Sequence, residues 1–77
     1  MADLKGKTFC FTGKLDSMTR KEAQELVEKH GGVSKSSVVK NLTYLVSNSD
    51  KETTKIIKAK EQGTKIITEK QFLELIK

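Results

Sequence analysis

The residues best suited to chemistry lie near the start of the chain, where an apolar run precedes a hydroxyl, a glycine and an arginine. The run Phe9-Cys10-Phe11 is followed by Thr12-Gly13, and Arg20 stands at a predicted helix start. A strand ending in a hydroxyl and a glycine leaves backbone N–H groups facing a ligand, and glycine lets an anion come close. A helix that begins a few residues later adds the positive end of its dipole. The pattern indicates an anion-binding site.

Arg20 is the only arginine among the fifteen basic residues. Its planar guanidinium binds phosphate through two parallel hydrogen bonds, which lysine cannot do. Its position beside the predicted strand end therefore favours a role in anion binding. A lysine-biased composition that left one arginine by chance is the alternative, and these residues alone leave both explanations open.

The net charge of +5 predicts attraction to polyanions, with nucleic acid as the first candidate. Seventy-seven residues form one small domain, and no apolar stretch is long enough for a membrane span. The first residues lack the apolar core of a secretory signal, so we expect an intracellular protein with no membrane partner. The alternative is that many lysines only keep the domain soluble. The lysines to which this applies best are Lys5, Lys7, Lys29, Lys35, Lys60, Lys70 and Lys77.

No residue pattern in the chain predicts catalysis, a metal site or a cofactor. Cys10 lies between two phenylalanines, where a thiol is a small buried apolar group. His30 is the only histidine, and we expect it to cap a helix or to be half-buried rather than to bind a metal. There is no P-loop spacing and no evident nucleophile with its base. We therefore expect that the chain is not an enzyme.

The first half of the chain alternates extended and helical patterns. Residues 7–11 predict a strand, and Thr19 with Glu22 forms a capping box that begins a helix. Apolar residues at helical spacing continue this helix over residues 19–30, and Gly31-Gly32 ends it. Val33-Ser34 then predicts a brief strand.

The middle of the chain predicts a central strand between two polar loops. Val38-Val39 interrupts the first loop and is expected to hold it against the core. Residues 42–46 are nearly all apolar or β-branched, as in a strand covered on both faces. Residues 47–52 predict a polar loop.

The last part of the chain repeats the same alternation. Thr53 or Thr54 caps a second helix, which ends at Gly63. Ile66-Ile67 predicts a fourth short strand. Thr68-Glu69-Lys70-Gln71 is a second capping box. We expect the final helix to bury Phe72, Leu75 and Ile76.

Strands that alternate with helices predict an α/β fold, with a parallel sheet covered by helices on both faces. Ligands of such sheets bind beyond the carboxyl ends of the strands. Thr12-Gly13 and the loop 47–54 both fall at that edge. We therefore expect Lys55, at the start of the second helix, to face the same anion as Thr12, Gly13 and Arg20.

The order and spacing of these short strings closely resemble a BRCT domain over nearly all of Leu4 to Lys77. The resemblance is closest to the BRCT domains of bacterial NAD-dependent DNA ligases and of the large subunit of the eukaryotic clamp loader. The matching strings are Gly6-Lys7-Thr8-Phe9-Cys10-Phe11-Thr12-Gly13, Thr19-Arg20-Lys21-Glu22-Ala23, Gly31-Gly32, Tyr44-Leu45-Val46, Thr54-Lys55, Lys58-Ala59, Gly63-Thr64-Lys65-Ile66-Ile67 and Phe72-Leu73.

The resemblance implies a three-layer fold around a four-stranded parallel sheet of order 2-1-3-4. Helices 1 and 3 would cover one face and helix 2 the other. It also implies a phosphate pocket formed by Thr12, Gly13 and Lys55, and Arg20 stands where the clamp-loader relative has a DNA-phosphate-binding arginine. The chain would be a single domain, with its core at about residues 4–77, taken from a larger protein.

The sequence departs from the family pattern at three places. Phe72 stands where many members have tryptophan. Leu42 stands where a threonine is common before the third strand, and Thr43 follows one place late. The stretch 47–51 lacks the glycines of the ligase versions.

Three functions fit these features. The first is a module of a DNA replication or repair protein that binds a 5′-phosphorylated DNA end or a backbone phosphate, with Lys14 and Lys58 supporting the neighbouring backbone. The second is binding of a phosphoserine or phosphothreonine peptide through the same pocket. The third is a general protein-interaction module. The sequence leaves the parent protein open.

Overall fold

The computed structural model describes residues 4–48 and 53–76 and contains four strands and three helices over these ranges. Strands and helices alternate except that no helix separates the second strand from the third. The strands and helices, in chain order, are β1 (Thr8–Thr12), α1 (Arg20–Lys29), β2 (Val33–Lys35), β3 (Tyr44–Ser47), α2 (Thr54–Gln62), β4 (Lys65–Ile67) and α3 (Glu69–Leu75).

The strands form one parallel sheet in the order β2-β1-β3-β4. The two longest strands, β1 and β3, lie at its centre, where helices cover both faces. Thr12 at the end of β1 is in register with Ser47 at the end of β3. The α/β class, the strand order and the central position of the third strand are confirmed.

The two faces of the sheet carry separate cores because side chains alternate along each strand. Phe9 and Phe11 point to the face that packs with α1 and α3, whereas Cys10 points to the face that packs with α2. Phe72 of α3 contacts both phenylalanines edge-on, with ring centroids 5.6 and 5.2 Å apart. The predicted placement of helices 1 and 3 opposite helix 2 is therefore confirmed.

Local signals set the helix ends as expected. Both capping boxes form, at Thr19 with Glu22 and at Thr68 with Gln71. Thr53 caps α2, and Gly63 ends it with a φ of 81°, a conformation that favours glycine. Phe72 is fully buried, but Leu75 and Ile76 are only partly buried at the end of α3.

The third strand begins and ends later than the pattern predicted. Leu42 is a buried core residue before β3, and Ser47 belongs to β3 and is buried rather than in a loop. Thr43 directly precedes β3, where it exchanges hydrogen bonds with Thr8: each backbone N–H donates to the other residue's Oγ1, at 3.0 and 2.9 Å. The end of the connection between β2 and β3 is thereby tied to the start of β1. Residues 49–52 of the predicted loop lie outside the described residues.

The segment between β2 and β3 is held against the α2 face of the sheet. Val38 is buried there with Leu42, and Val39 packs beside them. The expectation that these valines fix the loop is confirmed. Within the described ranges no helix has the length and apolar character needed to cross a membrane.

Candidate functional site

A surface pocket lies between the end of β1 and the start of α1. Its volume is about 580 Å³. Gly13, which follows β1, has a φ of 78°, and an added Cβ would meet no atom within 4 Å. The backbone here is therefore open to an approaching ligand, and glycine is required by conformation rather than by space. The pocket is lined by Gly13, Lys14, Leu15, Asp16, Met18, Thr19, Arg20 and Glu22.

The start of α1 is held rigidly at the pocket wall. The Oε1 of Glu22 accepts a hydrogen bond from the Thr19 N–H at 2.9 Å, and the Thr19 Oγ1 accepts one from the Glu22 N–H at 3.1 Å. Arg20 is the first helical residue, and its side chain is exposed. Arg20 thus stands at the positive end of the helix dipole. An anion bound there is stabilised by the guanidinium and by the dipole.

The structure brings three of the six predicted residues to this pocket. Gly13, Lys14 and Arg20 line it, whereas Thr12, Lys55 and Lys58 do not. Thr12 is half-buried, and strand alternation places its side chain on the same face as Cys10, toward α2. The pocket wall and the Thr12 hydroxyl are therefore adjacent in the chain but lie on different sides of the strand.

The Lys55 side chain reaches from the first turn of α2 to the segment that follows β2. Its Nζ donates a hydrogen bond to the backbone oxygen of Ser36 at 3.3 Å, in the segment after β2. Burial raises the pKa of the Cys10 thiol, and the positive charges of Lys55 and Arg20 oppose that rise. The charges of Lys55 and Arg20 therefore both act on Cys10 of β1, which lies two residues before Thr12. Lys58, one turn after Lys55, is exposed on α2.

A buried carboxylate, Glu69, holds the loop that forms the pocket, whereas the sequence predicts for this residue only a place in a capping box. Glu69 is the first residue of α3 and is 5% exposed. Its carboxylate accepts hydrogen bonds from the Ser17 hydroxyl, from the Asp16 and Ser17 N–H groups at 2.8 and 3.0 Å, and from the Asn48 side chain at 2.9 Å. The hydrogen bond from the Ser17 hydroxyl has the largest effect on the pKa of Glu69. Together these hydrogen bonds outweigh the opposing effect of burial and lower that pKa to about 2.

No local signal points to this contact, because Asp16 and Ser17 lie 53 and 52 residues before Glu69 in the chain. An acidic residue in the first turn of a helix is common for reasons of helix stability alone. Only the folded arrangement shows that the carboxylate joins the β1–α1 loop, the end of β3 and the start of α3.

The pocket lining combines cationic, acidic and apolar side chains. Over residues 4–48 and 53–76 there is no group of three or more His, Cys, Asp or Glu side chains arranged to hold a metal ion. The single cysteine is fully buried. The pocket is lined by the Gly13 backbone, by the start of α1 and by charged and apolar side chains. The cations are Lys14 and Arg20, the acidic residues are Asp16 and Glu22, and the apolar residues are Leu15 and Met18.

Comparison with known families matches residues 1–76 to the BRCA1 C Terminus (BRCT) domain. The chain belongs to the BRCT family. Among relatives, it is 57% identical over 76 residues to a DNA ligase of Treponema denticola, covering 97% of this chain and 12% of that protein. It is 50% identical over 74 residues to a DNA ligase of Aquifex aeolicus, covering 96% of this chain and 10% of that protein.

A eukaryotic relative is similar to nearly the same extent. Replication factor C subunit 1 of Arabidopsis thaliana is 45% identical over 74 residues, which cover 96% of this BRCT chain and 8% of that protein. The chain thus spans about a tenth of the length of these curated relatives.

A solved BRCT structure shares the fold. The crystal structure of Rad4 BRCT1,2 in complex with a Crb2 phosphopeptide matches with a TM-score of 0.78 and 18% sequence identity, covering 95% of this chain and 41% of that chain. At this identity the likeness establishes the fold alone.

Proposed function

We propose that this BRCT domain is a non-catalytic module of a DNA replication or repair protein and binds a phosphate of DNA, at a 5′-phosphorylated end or on the backbone. The observation that carries the proposal is the pocket in which Gly13, Lys14 and Arg20 meet beside the start of α1. Such a helix start with a guanidinium and an open backbone suits a phosphate dianion. The parent protein would be an NAD-dependent DNA ligase or a relative of it, and its location would be intracellular.

DNA is favoured over other phosphate ligands by charge and by kinship. The net charge of +5 attracts a polyanion over long range. The relatives that match nearly all of the chain are DNA ligases and a replication factor C subunit. In this assignment Arg20 binds the phosphate, Gly13 donates its N–H, and the exposed cations Lys14 and Lys58 contact neighbouring phosphates without reading bases.

Thr12 and Lys55 would complete the site from the α2 side of β1. For this the Lys55 amino group must exchange the backbone oxygen of Ser36, to which it donates a hydrogen bond at 3.3 Å, for a phosphate oxygen. That contact is long and partly exposed, so exchanging it for a phosphate oxygen costs little. A double-mutant cycle with Arg20→Ala and Lys55→Ala measures whether the two cations share one phosphate, because only residues that share a ligand are strongly coupled.

The test compares a 5′-phosphorylated duplex with the same duplex lacking the phosphate. We expect the wild type to prefer the phosphorylated end, and Arg20→Ala to reduce that affinity by about tenfold or more, since charged hydrogen bonds contribute about 1.5–3 kcal/mol. The slope of log K against log salt should fall by about 0.9 with the loss of one phosphate contact.

Lys21→Ala is the matched control. Lys21 is the next residue of α1, is also exposed and carries the same charge, but does not line the pocket. It should retain the preference for the phosphorylated end. Equal affinity of the wild type for both duplexes, or equal losses in the two variants, would refute the proposal.

A phosphopeptide is the second candidate ligand. It is favoured by one observation, the crystal structure of a BRCT pair of the same fold in complex with a phosphopeptide. The same variants in a phosphopeptide-library pull-down, with a dephosphorylated library as control, decide between the two. Arg20-dependent enrichment of phosphopeptides without a preference for phosphorylated DNA would favour the peptide.

A further inference from the structure

The loop between β1 and α1 supplies most of the pocket wall, and two contacts hold it in place. One is apolar: Leu15 is 6% exposed and lies in the core with Phe11. The other is polar and reaches Glu69 at the start of α3. Both anchors fall between Lys14 and Met18, which line the pocket on either side of them.

The polar anchor has a specific geometry. One carboxylate oxygen of Glu69 accepts from the Asp16 N–H at 2.8 Å, and the other accepts from the Ser17 N–H at 3.0 Å and from the Ser17 hydroxyl. Two consecutive peptide groups of the loop are therefore oriented by one carboxylate. A neutral amide side chain such as that of glutamine cannot accept hydrogen bonds from both peptide N–H groups in the same way, because an amide has one oxygen and its nitrogen is a donor.

Asn48 holds the carboxylate in turn. Its Nδ2 donates to the Glu69 Oε1 and its Oδ1 accepts from the Glu69 N–H, both at 2.9 Å. The end of β3 is thus tied to the start of α3 by a reciprocal pair of hydrogen bonds. The rigid sheet fixes Asn48, Asn48 fixes Glu69, and Glu69 fixes the loop.

We propose that Glu69 is the positioning residue of the phosphate site: its carboxylate fixes the Asp16–Ser17 turn so that Gly13, Lys14 and Arg20 face one anion. This inference rests on the proposed function. A pre-ordered site does not have to lose loop entropy when the phosphate binds, and so it binds more tightly.

Charge and position predict opposite effects for Glu69→Gln. The substitution removes a negative charge near an anion site, so electrostatics alone predicts tighter binding of DNA. Loss of the anchor predicts weaker binding of the phosphorylated end. We expect a loss of about tenfold for the phosphorylated duplex, the effect of about one charged hydrogen bond, with no loss for the unphosphorylated duplex.

Glu74→Gln is the control, since Glu74 lies on the same helix, is exposed and loses the same charge. It should bind both duplexes at least as tightly as the wild type. Amide hydrogen exchange supplies a readout independent of DNA: Asp16 and Ser17 should exchange faster in Glu69→Gln and not in Glu74→Gln.

The outcomes separate the two proposals. A wild type without preference for the phosphorylated duplex overturns the proposed function and this role with it. A wild type that has the preference, with a folded Glu69→Gln that retains it or exchanges these amides no faster, overturns the positioning role alone. If Glu69→Gln does not fold, Ser17→Ala and Asn48→Ala decide: each should weaken binding of the phosphorylated duplex by a few fold, and unchanged affinity in both overturns the role.

Discussion

Acid should remove the contribution of Glu69 to stability in a narrow and unusually low pH range. Hydrogen bonds from the Ser17 hydroxyl, from two backbone N–H groups and from Asn48 lower the pKa of Glu69 to about 2. In the unfolded chain a glutamic acid has a pKa of about 4.3. The folded state therefore binds this proton less readily than the unfolded state, and the stabilisation is complete above about pH 4.3 and lost as the pH falls toward 2.

The expected magnitude follows from the depression of the pKa. Each pKa unit corresponds to about 1.4 kcal/mol, so the full difference would be worth about 3 kcal/mol. Water reaches the neighbouring loop residues Asp16 and Ser17, which are exposed. Solvent screening therefore reduces the expected contribution to about half, or about 1.5 kcal/mol. For a domain of this size that is a substantial part of the free energy of unfolding.

Urea unfolding followed by circular dichroism measures this contribution. We expect the stability advantage of the wild type over Glu69→Gln to be constant between about pH 7 and 5 and to shrink by about 1.5 kcal/mol between about pH 4.5 and 2. The difference between the two proteins isolates this group, because the other carboxylates titrate in both. An advantage that disappears near neutral pH, or one that persists unchanged at the acid end, would refute the assignment of the low pKa to this carboxylate.

Two further predictions concern the core. Gly32→Ala should lower the free energy of unfolding by about 1–3 kcal/mol, since the added Cβ would stand 2.8 Å from the Val27 Cγ1. A urea titration measures this change, and an unchanged midpoint would contradict the packing described. Cys10 is fully buried, and burial raises the pKa of its thiol. A thiol reagent near neutral pH should therefore modify Cys10 only as fast as the domain unfolds, and rapid modification of the folded protein would show that the thiol is accessible.

The elements of this BRCT domain were predictable because their signals are local. The capping box at Thr19 depends on a residue three positions away. The end of α2 depends on the left-handed conformation of Gly63, which glycine adopts more easily than other residues. The nearly continuous apolar run before Ser47 identified the third strand as a central strand, because a strand covered on both faces has no polar side. The order of the strands came from the resemblance to the BRCT family and from no local pattern.

Part of the candidate site was also predictable. A hydroxyl, a glycine and a single arginine beside a strand end indicated an anion site, and Gly13 and Arg20 do line one pocket. That Thr12 and Lys55 bind the same anion remains a prediction, because the structure places Lys55 against Ser36 and Thr12 on the α2 face.

Sequence alone determined where the helices and strands lie, since capping, glycine conformation and apolar periodicity act over a few residues. Only the tertiary structure decided which polar groups meet. The pairing of Thr8 with Thr43 and the anchoring of Ser17 by Glu69 join residues 35 and 52 positions apart. Such bonds depend on how the sheet aligns its strand ends, and no spacing along the chain encodes that alignment.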